Sequence, residues 1–290
     1  MITYRVTHRT SYVYESDVTA SYGQLHLLPR EEPGQRCRST EVTIDPTADD
    51  YRERIDYFGN RACFVAIHEP HRALTVTANS LVEVDRRPEA ICRFGQRPWE
   101  HARDTVAGDH VEAVQFALDS PLACSAEPYR EYALESFTKG RDLIDALGSL
   151  SARIHADFEY KPGSTSVTTP LAEVFEQRRG VCQDFAHLGI ACLRSIGLPA
   201  RYVSGYMETD PPPGRPKLTG VDGSHAWLSV LVPGTGWLDI DPTNDQLVNG
   251  RYIITAYGRD YGDVPPINGV IYTEGKTGSL TVTVDVVAVD

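Results

Sequence analysis

The alternation of apolar and polar positions changes along the chain, and it predicts β structure first and helices later. Segments 3–14, 38–44, 62–67 and 74–84 alternate with a period of two, are rich in β-forming residues and are separated by turn residues. We therefore expect an antiparallel β domain, in the form of a sandwich, over residues 1–95.

Helical spacing replaces this alternation after about residue 98. Apolar residues recur three and four positions apart over 141–158, and Thr169-Pro170 is typical of a helix start, with Gly180 predicted to end that helix. A further helix begins at Cys182, and three strands are predicted at 201–207, 225–231 and 237–241. The predicted fold class is α+β, with residues 96–290 forming a core of helices packed on an antiparallel sheet.

Cys182 is the strongest candidate for chemistry. It lies in the first turn of a predicted helix whose apolar stripe includes Phe185, Leu188 and Cys192. Free backbone N–H groups and the positive end of the helix dipole favour an anion at such a position, so a thiolate should form readily there. The sequence predicts Cys182 as a nucleophile and Cys192 as a core residue.

A thiol nucleophile needs a base, and the base needs a group that orients it. If Leu231 pairs with Trp237 across a five-residue loop, His225 becomes the diagonal neighbour of Asp241 on the same face of a hairpin, within reach of long side chains. A four-residue loop would place Asn244 opposite His225 instead. Asp241 is the preferred orienting residue and Asn244 the reserve.

Composition excludes several other classes of function. The six cysteines are scattered in a chain large enough to do without disulfides, and no close Cys/His cluster predicts a metal site. The net charge of −12 carries no basic stripe, which argues against nucleic acid as a partner. No apolar stretch approaches the length of a membrane span, so no membrane association is predicted and we expect a cytoplasmic protein. No cofactor is predicted either.

Taken together, these motifs resemble the bacterial transglutaminase-like superfamily, whose members combine a papain-like cysteine acyl-transfer core with an N-terminal β domain. The opening from residue 2 to 30 is similar to the N-terminal region of that group. The matching core motifs are Gly180-Val181-Cys182, Ser224-His225-Ala226-Trp227 and Gly236-Trp237-Leu238-Asp239-Ile240-Asp241-Pro242-Thr243.

The resemblance implies roles for particular residues. Cys182 would be the nucleophile, His225 the base and Asp241 the residue that orients the base. Transglutaminases place a tryptophan upstream of the cysteine as an oxyanion donor, and here Tyr160 is similarly placed and could donate its hydroxyl. The predicted oxyanion and substrate-binding set also includes Gln183 and Trp227.

The predicted activity is attack of Cys182 on a peptide or isopeptide amide to form a thioester, most simply followed by hydrolysis, as in a cysteine protease or amidase. Transfer to an amine and a non-catalytic module that binds a peptide or a partner remain alternatives. The resemblance suggests a peptide or protein amide as substrate and a functional link to ATP-grasp amide ligases. The Pro- and Gly-rich loop 209–223 is a candidate wall or lid of the cleft.

Overall fold

The structure is a computed structural model that describes residues 1–86, 97–109, 111–210, 223–275 and 277–289. No helix within these ranges is long and apolar enough to cross a membrane. The elements are, in chain order, β1 (Ile2–Leu25), β2 (Gln35–Asp45), β3 (Asp50–Ile55), β4 (Arg61–Ile67), β5 (His71–Val84), α1 (Trp99–Asp109), α2 (Val111–Ala117), α3 (Glu127–Leu134), α4 (Leu143–Asp157), β6 (Glu159–Tyr160), α5 (Leu171–Gln177), β7 (Arg179–Gly180), α6 (Cys182–Ser195), β8 (Ala200–Met207), β9 (Ser224–Val232), β10 (Gly236–Asp241), β11 (Gln246–Leu247), β12 (Tyr252–Gly258), β13 (Ile267–Thr273) and β14 (Thr277–Val289).

The first sheet is organised around the long strand β1. The first half of β1 lies between β5 and β14, and its second half lies between β4 and β13, with an irregularity in register between Val13 and Val18. Because the sheet curls at this irregularity, residues of its two ends share one apolar cluster, in which Leu25 and Val65 meet Val76. The α+β class with an antiparallel N-terminal sheet is confirmed, and both layers of that region come from one curled sheet.

Two strands of this sheet come from the end of the chain. β13 and β14 pair with β1 and, among the described strands, with no other. β13 and β14, which the sequence analysis placed with the core, are therefore hydrogen-bonded into the sheet of the N-terminal region. The boundary at residue 95 stays a prediction, because residues 87–96 lie outside the described ranges.

The second sheet carries the core, with the strand order β11-β10-β9-β8-β12. α6 packs on one face of this sheet against β8 and β9, and α3, α4 and α5 surround it. Phe185, Leu188 and Cys192 are almost completely buried in this cluster, as the apolar stripe of the sequence predicts. A helix that is buried on nearly all sides holds its first residue, Cys182, in a defined position at the edge of the sheet.

The N-terminal region contacts the core along β12, an edge strand of the second sheet. The side-chain amide of Asn60 donates to the carbonyl of Tyr257 and accepts from its N–H, both at 2.8 Å. Gln35 forms the same pair of bonds, both at 2.8 Å, with Ile254. These two amides satisfy the free edge of β12 as a neighbouring strand would, and so they join the two sheets.

Asn60→Ala is expected to lower the free energy of unfolding by about 2–4 kcal/mol, because it leaves the N–H and C=O of Tyr257 buried without a partner. Denaturant titration measures this change. The exposed Asn268 provides the control, and Asn268→Ala should change stability by less than about 0.5 kcal/mol. Equal effects of the two substitutions would contradict the role given to Asn60.

Candidate active site

Cys182 occupies the first position of α6, after an extended Val181. The carboxylate of Asp184 accepts from the N–H of Val181 at 2.8 Å and from the hydroxyl of Thr165 at 2.6 Å. Asp184 thus satisfies one of the N–H groups at the helix start and anchors the segment before the thiol. The Cys182 side chain is half-buried and lines a cleft.

Gly180 has a different role from the one predicted. The preceding helix ends at Gln177, where Arg178 adopts a left-handed conformation with φ of 53°, so Gly180 does not terminate it. A Cβ atom at position 180 would lie 2.8 Å from the Asp184 side chain. Glycine is needed here because Asp184 folds back over this position to reach the backbone of Val181.

His225 and Asp241 meet across the hairpin of β9 and β10. Trp237 pairs with Leu231, which is the register expected for the five-residue loop. His225 Nε2 lies 2.7 Å from Asp241 Oδ2. The diagonal relation deduced from the sequence is therefore the one that the structure has.

His225 and Cys182 line the same cleft, and Cys182 contributes to the pKa of the imidazole. Because Nε2 faces Asp241, Nδ1 is the ring nitrogen left for the thiol. Burial lowers the pKa of His225, but the hydrogen bond to Asp241 and the effect of Cys182 outweigh burial and raise the pKa to about 10. The structure thus favours an imidazolium held between a carboxylate and a sulfur.

Asp241 is fully buried and accepts several hydrogen bonds besides that with His225. The Tyr252 hydroxyl and the Asn244 amide each donate to Oδ2 at 2.7 Å, and the Thr243 N–H donates to Oδ1 at 2.9 Å. Burial raises the pKa of Asp241, but the bond with His225 and these other donors outweigh burial and hold it below its ordinary value. The carboxylate is therefore kept ionised.

Asn244, the reserve orienting residue, lies at the same place. Its amide nitrogen is 2.7 Å from Asp241 Oδ2 and 3.4 Å from His225 Nε2. Asp241 makes the shorter contact with the imidazole, and Asn244 positions Asp241. Tyr252 was not identified from the sequence, because it lies on another strand, β12, and no motif surrounds it.

The predicted oxyanion and substrate-binding residues differ in their exposure and in their position relative to the cleft. Tyr160 is half-exposed on β6, which pairs with β7 next to Gly180. Burial raises the pKa of Tyr160, and the nearby Cys182 raises it further, so the phenol stays protonated and can donate. Gln183 lines the cleft beside Cys182, and its amide lies 3.4 Å from the Val167 carbonyl.

Trp227 is not among the residues that line the cleft. Its side chain is fully buried, with the ring centroid 6.0 Å from that of His225 and 5.2 Å from that of Tyr252. The strand alternation that brings His225 to this face brings Trp227 to it as well, and the indole is buried there among Val203, Tyr252 and Ile254 of the second sheet. Gly205 makes room for the indole, since a Cβ there would lie 2.6 Å from Trp227 and 2.1 Å from the Ile253 carbonyl. Trp227 supports His225 from below.

The cleft above Cys182 and His225 has a volume of about 270 Å³, and its outer wall comes from the first sheet. Thr10 and Tyr12 of β1 line it together with their pairing partners Val282 and Leu280 of β14. The alternation of apolar and polar residues in β1 and β14 is that of any sheet, so no sequence pattern indicated that these strands would line the cleft.

In loop 209–223, the predicted lid, residues 211–222 lie outside the described part of the chain.

Comparison with protein families matches two parts of the chain. Residues 4–83 match the bacterial transglutaminase-like N-terminal region, and residues 130–242 match the transglutaminase-like superfamily. Cys182, His225 and Asp241 all lie within the second match.

Uncharacterised mycobacterial proteins match nearly the whole chain. A protein of Mycobacterium tuberculosis is 47% identical over 290 residues, which cover 98% of this chain and 92% of that protein. A second, from Mycobacterium leprae, is 35% identical, with 97% of each chain covered. A protein-glutamine gamma-glutamyltransferase of Pseudomonas aeruginosa is 36% identical over 92 residues, or 31% of this chain and 14% of that enzyme.

A solved structure of a candidate cysteine protease from Cytophaga hutchinsonii has the same fold. The two structures superimpose with a TM-score of 0.77 at 20% sequence identity, and the match covers all of this chain and 92% of the Cytophaga chain. At this identity the likeness shows the fold alone.

His225→Ala is expected to slow the alkylation of Cys182 by iodoacetamide near neutral pH by about tenfold or more. The raised pKa of His225 keeps its positive charge in place through the neutral range, and the charge is lost only as the pH rises towards about 10. Mass spectrometry of the labelled peptide gives the rate. His68→Ala, at an exposed site on the first sheet, is the control. A rate in His225→Ala equal to that of the wild type would rule out the contact with His225 as the activating one.

Gly180→Ala is expected to destabilise the protein by about 1–3 kcal/mol and to slow alkylation of Cys182, because the added methyl group displaces Asp184. Thermal unfolding and the labelling rate report the two effects. Gly148 is the matched control: it lies inside α4, and a Cβ added there would meet open space, so Gly148→Ala should stabilise the protein by about 0.5–1 kcal/mol. Similar stabilities of the two variants would contradict the role of Gly180.

Proposed function

The chain belongs to the bacterial transglutaminase-like superfamily, and we propose from this membership and from its site that it is a cysteine-dependent enzyme that cleaves amide bonds through a thioester. Cys182 is the nucleophile, His225 the general base and acid, and Asp241 the group that orients the imidazole. The proposed substrate is a peptide or protein amide, and water is the proposed acceptor of the acyl group.

One observation carries this proposal: the ring of His225 is hydrogen-bonded to the buried carboxylate of Asp241 and lines the same cleft as the Cys182 side chain. A protein that only bound a partner would gain nothing from a buried carboxylate that needs four donors. The cost of burying that charge is several kcal/mol before its partners are counted, so the arrangement calls for a function of the imidazole.

The proposed reaction proceeds in two halves. The Cys182 thiolate attacks the amide carbonyl, and the imidazolium of His225 gives its proton to the departing amine as the C–N bond breaks. A thioester on Cys182 remains. Neutral His225 then takes a proton from water, the hydroxide forms the new C–O bond, the C–S bond breaks and the acid leaves. Asp241 holds the imidazole and stabilises its charged form without taking up the proton.

The developing oxyanion would be held by the N–H groups at the start of α6 and by the Tyr160 hydroxyl. Tyr160 is adjacent to Gly180 in the β6–β7 pairing and is exposed enough for its hydroxyl to meet a substrate. Such a donor can contribute a few kcal/mol to the transition state. Gln183, on the wall of the cleft, would contact the substrate backbone.

Transfer to an amine is the second candidate. The similarity to the protein-glutamine gamma-glutamyltransferase covers only 92 residues, yet it favours a glutamine-type acyl donor with a primary amine as acceptor. Chemically, the two activities share the thioester and differ in the group that attacks it.

Incubation with a peptide-amide library, with and without a tagged primary amine, tests the proposal. Cleaved peptides with no incorporated tag are expected, and mass spectrometry distinguishes the two products. Cys182→Ala should abolish both, whereas Cys192→Ala, at a buried site in α6, should retain activity in whatever fraction remains folded. Turnover that survives Cys182→Ala would refute the thioester mechanism, and tag incorporation would establish transfer over hydrolysis.

A further inference from the structure

Beside the catalytic cleft lies a second cavity, inside the curl of the first sheet. It has a volume of about 200 Å³ and is lined chiefly by apolar side chains, among them Leu25, Val65, Ile67, Leu74, Val76 and Ile271. A close-packed core leaves few voids larger than a water molecule, and a cavity of about 150 Å³ with such a lining can hold a benzene molecule. This space is therefore large enough for an aromatic side chain.

The cavity adjoins the cleft. Tyr12 of β1 and Ile267 of β13 line both of them. On the cleft side, Leu280 pairs with Tyr12 across β1 and β14, and its side chain is 58% exposed. An apolar surface thus continues from the cleft that holds Cys182 into the interior of the sheet.

Apart from the catalytic pair itself, this surface carries no charge. None of the described residues that line the cleft or the cavity is Asp, Glu, Lys or Arg, although such residues make up 23% of the chain. A charged side chain entering the cavity would lose its hydration without meeting an opposite charge, which is unfavourable. Transfer of an apolar side chain from water into the cavity is favourable.

We propose that the cavity in the curled sheet is a specificity subsite that receives an aromatic or branched aliphatic side chain of the substrate peptide. This inference rests on the proposed function, since it takes the cleft at Cys182 as the place where the amide binds. The N-terminal sheet then selects the substrate, and Tyr12 and Ile267 form the passage between the reacting amide and the subsite.

Binding to Cys182→Ala tests the subsite without any need for turnover. The probes are N-acetyl tripeptide amides in which Phe, Leu, Asp or Lys is moved through the three positions with Gly elsewhere, and calorimetry gives their affinities. In at least one position Phe and Leu should bind tenfold or more tightly than Asp and Lys, because they bury an apolar side chain. Equal affinities for all four residues at every position would overturn the proposal.

A pair of substitutions on β13 locates the effect. Ile271→Trp, added to Cys182→Ala, fills the cavity and should reduce the preference for Phe and Leu to threefold or less. Val270→Trp alters the neighbouring residue, which is 60% exposed and not part of the cavity lining, and should preserve the preference. Leu74→Phe, a smaller change at the cavity wall, should remove the preference for Phe and so serves if Ile271→Trp does not fold. A preference that survives both cavity variants would overturn the proposal.

Failure of this inference can be told apart from failure of the proposed function. Hydrolysis by the wild type with no preference among the four side chains would refute the subsite and leave the thioester mechanism intact. A preference that disappears in Ile271→Trp, in a protein whose wild type cleaves none of the peptides, would support the subsite and count against the mechanism.

Discussion

The buried carboxylate of Asp241 is the constraint on which the active-site arrangement depends. A charge removed from water in this way is tolerated only when it is paired and its oxygens are hydrogen-bonded, and here the donors come from β9, from β12 and from the turn after β10. Their positions are therefore linked. Because the imidazole of His225 is one of these donors, the same network holds its ring in place.

The thiol is positioned by a different device, a helix buried on nearly all sides. α6 is surrounded by the second sheet and by three other helices, so its first turn cannot shift without disturbing the core. Asp184 closes the N-terminus of that helix over Gly180. The sulfur on the helix and the imidazole on the sheet lie at the boundary between the two layers. The helix is held by its burial and the imidazole by its hydrogen bond to Asp241, so the two groups are positioned independently.

Local patterns in the sequence were sufficient for the parts of the site that depend on local structure. The helix start at Cys182 followed from apolar spacing, and the meeting of His225 with Asp241 followed from the loop length of one hairpin. Contacts between distant segments could not be deduced in this way. The pairing of β14 with β1 and the donation from Tyr252 each join residues far apart in sequence, and a period-two pattern does not indicate which strand will be the neighbour. The burial of Trp227 could not be deduced either, since alternation gives the face of a strand and leaves open whether that face is exposed.

The strand order of the first sheet has a consequence for the biogenesis of the protein. Residues 277–289 form one side of β1 and provide Leu280 and Val282 to the wall above the thiol, while the sulfur, imidazole and carboxylate all belong to segments that are synthesised earlier. On the ribosome, the reactive pair can assemble while this wall is still missing. The cleft becomes a closed binding site only when β14 has been made and has paired with β1, so the site matures later than the residues that surround the thiol.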